Sequence, residues 1–180
     1  MKRFIVMVPV ALAACNSSPT VTATNASMAE VSNKVAEAAA SGQFVSPGRW
    51  EATMKISDIT MPGAPAGMAE KMKERMPTKA MVSCLTPEEA KAPKGNFFGG
   101  QRDCTYDHFT MANGQLDAKM VCKAGGQGRT MVMKGSYSPD TYQMTVDSTG
   151  SGQKGPMAGM SIKMTMDAKR TGECTGDENK

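Results

Sequence analysis

One histidine, five cysteines and eighteen methionines are the residues of this 180-residue chain through which chemistry would have to run. A single histidine excludes a multi-histidine metal site and restricts any Ser–His–Asp arrangement to His108. His108 falls on a predicted strand, on the face of Cys104 and Tyr106, with no nucleophile elbow nearby. Asp107 and Asp117 read as surface alternation, so the chain is not expected to be an enzyme. The methionines offer either soft thioethers, which suit Cu(I), or a deformable apolar lining. Met68, Met72 and Met76 recur every four residues, Met131 and Met133 every two, and Met157, Met160, Met164 and Met166 crowd one segment. Because these groups follow the local helix or strand period, apolar packing is favoured over coordination. No metal and no cofactor is assigned.

Cys84, Cys104, Cys122 and Cys174 are spaced 20, 18 and 52 residues apart, which matches no zinc motif. The absence of Cys-x-x-Cys argues against a thiol oxidoreductase. In an oxidising compartment an even set pairs into two disulfides. A three-residue turn at Ala112-Asn113-Gly114 would place Cys104 opposite Cys122 on neighbouring antiparallel strands. Cys84 is then left for Cys174. A two-residue turn would move that register by one.

The fifth cysteine, Cys15, ends another pattern. Met1-Lys2-Arg3 is followed by an apolar run from Phe4 to Leu12 and then Ala13-Ala14-Cys15, the parts of a secretory signal. Leu12-Ala13-Ala14-Cys15 resembles the bacterial lipobox. That resemblance implies diacylglycerol on the Cys15 sulfur, cleavage of residues 1–14, and acylation (palmitate-type chains) of the new amino group. Several acyl chains, at about 0.8 kcal/mol per buried methylene, make a lasting membrane anchor. Asn16, where the family's retention signal has Asp, implies the outer membrane, periplasmic face. The net charge of +4 is scattered and falls to about +2 without Lys2 and Arg3, so no nucleic-acid patch exists.

Those residues need a scaffold. Asn16–Ser27 is Ser, Thr, Asn and Ala and predicts a flexible tether. Met28–Ala40 predicts an Ala-rich helix with a thin apolar face. The tether with its helix occupies 15–47, the domain 48–174, and a disordered tail 175–180. From Gly48 onward the period is two: Trp50-Ala52-Met54-Ile56, Leu116-Ala118-Met120-Cys122, Tyr142-Met144-Val146 and Ile162-Met164-Met166-Ala168. Lys79–Cys84, Cys104–Met111 and Arg129–Tyr137 are weaker strands. The fold class is mainly β, an antiparallel meander of about seven strands forming a curved sheet or partial barrel. Ala66–Met76, between Pro65 and Pro77, predicts one inserted amphipathic helix, its Met68, Met72 and Met76 face closing the sheet as a lid.

Gly48-Arg49-Trp50-Glu51, Cys84-Leu85-Thr86-Pro87-Glu88, the Cys104 and Cys122 pair, and Gly172-Glu173-Cys174 form a spaced series. In that order they resemble the proteobacterial periplasmic family called domain of unknown function 3617, over about Pro47–Cys174. The resemblance implies an exported, disulfide-bearing domain, often lipidated, and no assigned activity. The expected function is a non-enzymatic binding or envelope-interaction module whose partners are a membrane through its lipid anchor and an envelope protein or apolar ligand. One alternative is a lipid or apolar-ligand carrier with a groove lined by Met68, Met72, Met76, Met164 and Met166. A second is a Cu(I)-binding periplasmic protein. Phe97-Phe98, in the loop 93–100, is a candidate contact point, and 150–157 is a second loop.

Overall fold

The computed structural model describes residues 19–41, 44–91, 103–124, 127–152, 154 and 158–178. Cys15, the signal segment, Phe97-Phe98 and Met157 lie outside them. The strands are β1 (Val21–Ser27), β2 (Gly48–Thr60), β3 (Lys79–Leu85), β4 (Cys104–Ala112), β5 (Gln115–Ala124), β6 (Gln127–Tyr137), β7 (Thr141–Ser151) and β8 (Ser161–Gly172). The helices are α1 (Met28–Ser41), α2 (Met68–Glu74) and α3 (Pro87–Lys91). One open antiparallel sheet runs β1-β4-β5-β6-β7-β8-β2-β3. Strands β4 to β8 are the predicted meander. The β2–β3 hairpin is added on the β8 side and β1 on the β4 side, so eight strands replace the seven expected.

The extra strand corrects the tether reading. Val21–Ser27 pairs antiparallel with β4, Val21 against Met111 and Ala26 against Tyr106. Its small residues hide the cause from composition: Val21, Ala23 and Ala26 are buried in the main core with Tyr106, Phe109, Ala118 and Met120. Helix α1 packs more firmly than its alanines suggest. Val31 and Ala39 are each 2% exposed in that core, and the Ser27 Oγ accepts the Glu30 N–H (3.2 Å) as an N-terminal cap. The tail is ordered through Glu178, for reasons given below.

The lid is also reassigned. α2 contributes no buried residue, and of the three methionines Met68 and Met76 are exposed and only Met72 is half-buried. Seven residues span only about 10 Å, too short to cover an eight-stranded sheet. α2 packs mainly on β2, and Lys73 Nζ donates to the Ser57 carbonyl oxygen (2.6 Å). The covering helix is α1, which lies on β1 and β4 and reaches α3 near the opposite edge.

The β4–β5 hairpin turns on two residues, Asn113 (φ 51°) and Gly114 (φ 73°), both left-handed as a type I′ turn requires. That turn pairs Ala112 with Gln115 and His108 with Lys119, one residue out of the predicted register. A bulge at Asp107 restores it, and Tyr106 faces Met120 and Cys104 faces Cys122. Both predicted disulfides are present, Cys104–Cys122 with Cα atoms 4.0 Å apart and Cys84–Cys174 with 5.5 Å.

Candidate functional site

Three parts of the molecule bear on function: one end of the sheet around Arg49, the His108–Asp117 pair, and the methionine rows.

Around Arg49, segments far apart in sequence converge. Arg49 on β2 stands opposite Cys84 on β3 and Gly172 on β8. Its Nη1 donates to Thr175 Oγ1 (3.2 Å) and Asp177 Oδ1 (3.3 Å) and lies 3.7 Å from Glu178 Oε1. The Glu178 carboxylate accepts the N–H groups of Thr175 (2.5 Å) and Gly176 (2.8 Å) and the Thr175 hydroxyl (3.0 Å). Those backbone bonds, Thr175 first, hold its carboxyl down to about 2 from the ordinary 4.5. Gly48 sits so close to Gly172 that a Cβ would collide with the Gly172 carbonyl oxygen. Arg170 Nε donates to the Pro47 carbonyl oxygen (2.6 Å), and its Nη2 binds Glu173. Trp50, buried, donates from Nε1 to the Ser46 carbonyl oxygen (3.0 Å) and packs on Tyr142. Every strong group here is already engaged by the protein, so this end is a clasp. A depression of about 410 Å³ beside it is lined by Arg49, Met81, Val82, Asp177 and Glu178.

His108 is exposed, on the face opposite the one predicted, because the Asp107 bulge shifts it by one residue. Its Nε2 is 2.8 Å from Asp117 Oδ1, and Lys134 Nζ is 3.6 Å from Asp117 Oδ2. The hydrogen bond from His108, aided by Lys134, holds Asp117 below the usual carboxylate range. This is a surface ion-pair ladder across β4, β5 and β6.

The methionines divide. Of the five methionines of the predicted groove, Met68 and Met76 are exposed and Met72, Met164 and Met166 are half-buried. Sheet register groups Met164 and Met166 with residues of β2 and β7. Met166 stands between Met54 on β2 and Met144 on β7, and Met164 stands between Ile56 and Val146. All six are half-buried. They extend the apolar face that α1 covers over β1 and β4, and the main contacts of the described helices fall on β1, β4, β2 and one another. The alternation of Met54 and Met144 is plain in the sequence. Their meeting at Met166 depends on β8 pairing with β2, which lies about a hundred residues earlier in the chain. A second shallow depression, about 440 Å³, includes Lys134, Gln143, Thr145, Thr165 and Asp167 of the polar face.

Among the described residues no group of three or more His, Cys, Asp or Glu could hold a metal ion, and no helix is long and apolar enough to cross a membrane. Comparison with protein families gives one match, described as a protein of unknown function (DUF3617), over residues 45–174. No curated protein and no solved structure matches. The match begins after β1 and α1 and spans both disulfides and the Arg49 clasp up to Cys174.

Proposed function

We propose, from the premise that the chain belongs to the DUF3617 family, that it is a non-enzymatic binding module of the cell envelope that takes an apolar ligand of the acyl-chain class. The observation that carries this reading is the half-exposed face formed by Met54, Ile56, Met144, Val146, Met164 and Met166. Apolar residues left partly in water on one side of a sheet mark an interaction surface. Methionine, flexible and polarisable, suits acyl chains of varied shape. The lipobox-like Leu12-Ala13-Ala14-Cys15 supports an outer-membrane location on the periplasmic side, with lipid on Cys15 holding the module beside its ligand source. Two disulfides accord with that compartment.

The test is native mass spectrometry of a Cys15→Ser form exported to the periplasm, purified without reductant and incubated with phosphatidylethanolamine–phosphatidylglycerol vesicles. A lipid-sized added mass is expected, lost in Met164→Glu and Met166→Glu and kept in Met166→Leu. Protein that stays bare after incubation overturns the reading. Wild-type protein in the membrane fraction, with an acylated peptide beginning at Cys15, tests the anchor separately.

A further inference from the structure

We infer that Met54, Met166 and Met144 form a binding site for a soft monovalent cation of the Cu(I) class, a proposal that goes beyond the acyl-chain reading and does not depend on it. The observation is a row of three thioethers running across three neighbouring strands. Met54 on β2 is the register partner of Met166 on β8, and Met166 is the register partner of Met144 on β7. Register partners on adjacent strands share a face, about 4.8 Å apart along the row. The central sulfur therefore has one neighbour on each side within reach of side chains carrying three rotatable bonds. Elsewhere on this face Met120 and Met131 form a pair that ends at Tyr106 on one side and Ser148 on the other, and Met164 lies between Ile56 and Val146, so neither makes a row of three.

The central side chain is also held. The Tyr142 hydroxyl, two positions from Met144 on β7, donates to Met166 Sδ at 3.5 Å. A thioether sulfur has two lone pairs, so this bond fixes the sulfur and leaves one pair for a metal. All three methionines are half-buried, which allows an ion to enter while part of the shell is dry. The row holds no carboxylate or imidazole, and such a donor set selects soft over hard cations. Lys79 ends the row beyond Met54, exposed to water, where solvent screens its charge.

The crowded segment from Met157 to Met166 is the obvious soft-metal string in the sequence. The structure replaces it, because strand residues two apart share a face but lie farther apart than cross-strand partners. Only Met166 of that string belongs to the site.

The experiment uses Ag(I), a redox-inert soft cation that needs no added reductant, so the disulfides stay closed. The full chain carries Cys15→Ser, so that no thiol of that residue competes, and silver nitrate is titrated in chloride-free buffer by calorimetry and by NMR of the methionine methyls. The expected result is one equivalent of Ag(I) bound, with shifts confined to three methyl signals that disappear one each in Met54→Leu, Met144→Leu and Met166→Leu. Met166→Leu should weaken binding at least tenfold, and Met164→Leu and Met68→Leu by less than threefold. Leucine preserves volume and apolarity, so acyl-chain uptake survives in Met166→Leu and the two functions fail independently. Absence of Ag(I) binding overturns the proposal. So does an equal loss in Met164→Leu and Met166→Leu, or a uniform shift of all methionine methyls, which would mark adventitious surface binding.

Discussion

Tyr106 and Phe109 meet edge to face with ring centroids 5.4 Å apart, although they stand three positions apart on one strand. In a regular strand an odd separation sends two side chains to opposite faces. The bulge at Asp107 supplies the extra residue that lets both rings enter the core. Removing Asp107 should leave the inward set intact, since Phe109 would still face Ala118, Tyr106 Met120 and Cys104 Cys122. We expect the Asp107 deletion to keep the Cys104–Cys122 disulfide in non-reducing peptide maps and to stay within about 1 kcal/mol of wild type. A scrambled or missing pair would show that the bulge carries more than register.

That bulge also marks what sequence reasoning reaches and where it stops. Alternation located every strand from β2 to β8, because one face of each is apolar and period two is visible in a single chain. The Cys104–Cys122 pair was legible by a route that the molecule takes differently: the turn has two residues, and Asp107 makes up the difference. Nothing local announces a bulge, so alternation alone assigns His108 to the wrong face. β1 was hidden because Val21, Ala23 and Ala26 are stabilised by β4 and α1 rather than by their own hydrophobicity. Amphipathic α2 looked like the lid because period reports a face and not what covers it. The thioether row required a pairing between β2 and β8 that no local pattern encodes.

If β1 and α1 are part of the core, a chain beginning at Phe44 lacks Val21, Ala23, Ala26, Val31 and Ala39 of the main cluster. Burial of a side chain the size of Phe109 or Met120 contributes roughly 1.5–3 kcal/mol, and truncation would leave both open to water. The truncated chain should bind a hydrophobic dye and lose its cooperative urea transition. Val31→Asp, which places an unpaired carboxylate under α1, should cost more than about 3 kcal/mol. Met72→Ala on α2 should cost under about 1 kcal/mol. A cooperative transition in the truncated chain would restore the tether reading.

The two disulfides close loops of different size, with sequence separations of 90 for Cys84–Cys174 and 18 for Cys104–Cys122. The chain-entropy relation gives roughly 4.5 kcal/mol for the longer and roughly 3 for the shorter. Replacing both cysteines of each pair with alanine should therefore lower the urea midpoint more for Cys84 and Cys174. That pair also fastens β3 to the segment holding Thr175 and Glu178, so its removal should additionally speed hydrogen exchange at the Thr175 and Gly176 amides. Equal midpoints would mean that packing around Cys104 and Cys122, both buried, outweighs loop length.

Acid should open the Arg49 clasp at a defined place. The folded-state pKa of Glu178 lies at about 2, below its ordinary 4.5, so the folded state binds a proton here less readily than the unfolded chain. The resulting stability is complete above about pH 4.5 and declines as pH falls toward about 2. Asp117, also lowered, acts in the same direction through His108 and Lys134. Glu178→Gln removes the ionisable group but keeps one carbonyl acceptor for the Thr175 and Gly176 amides. It should therefore be less stable than wild type at neutral pH and show a flatter loss between pH 4.5 and 2. Arg49→Met removes the guanidinium while leaving the backbone donors that set the Glu178 shift, so the acid slope should persist at lower overall stability. Urea titrations at several pH values separate these outcomes. If Glu178→Gln had the slope of wild type, the acid sensitivity would belong to Asp117 and its ladder instead.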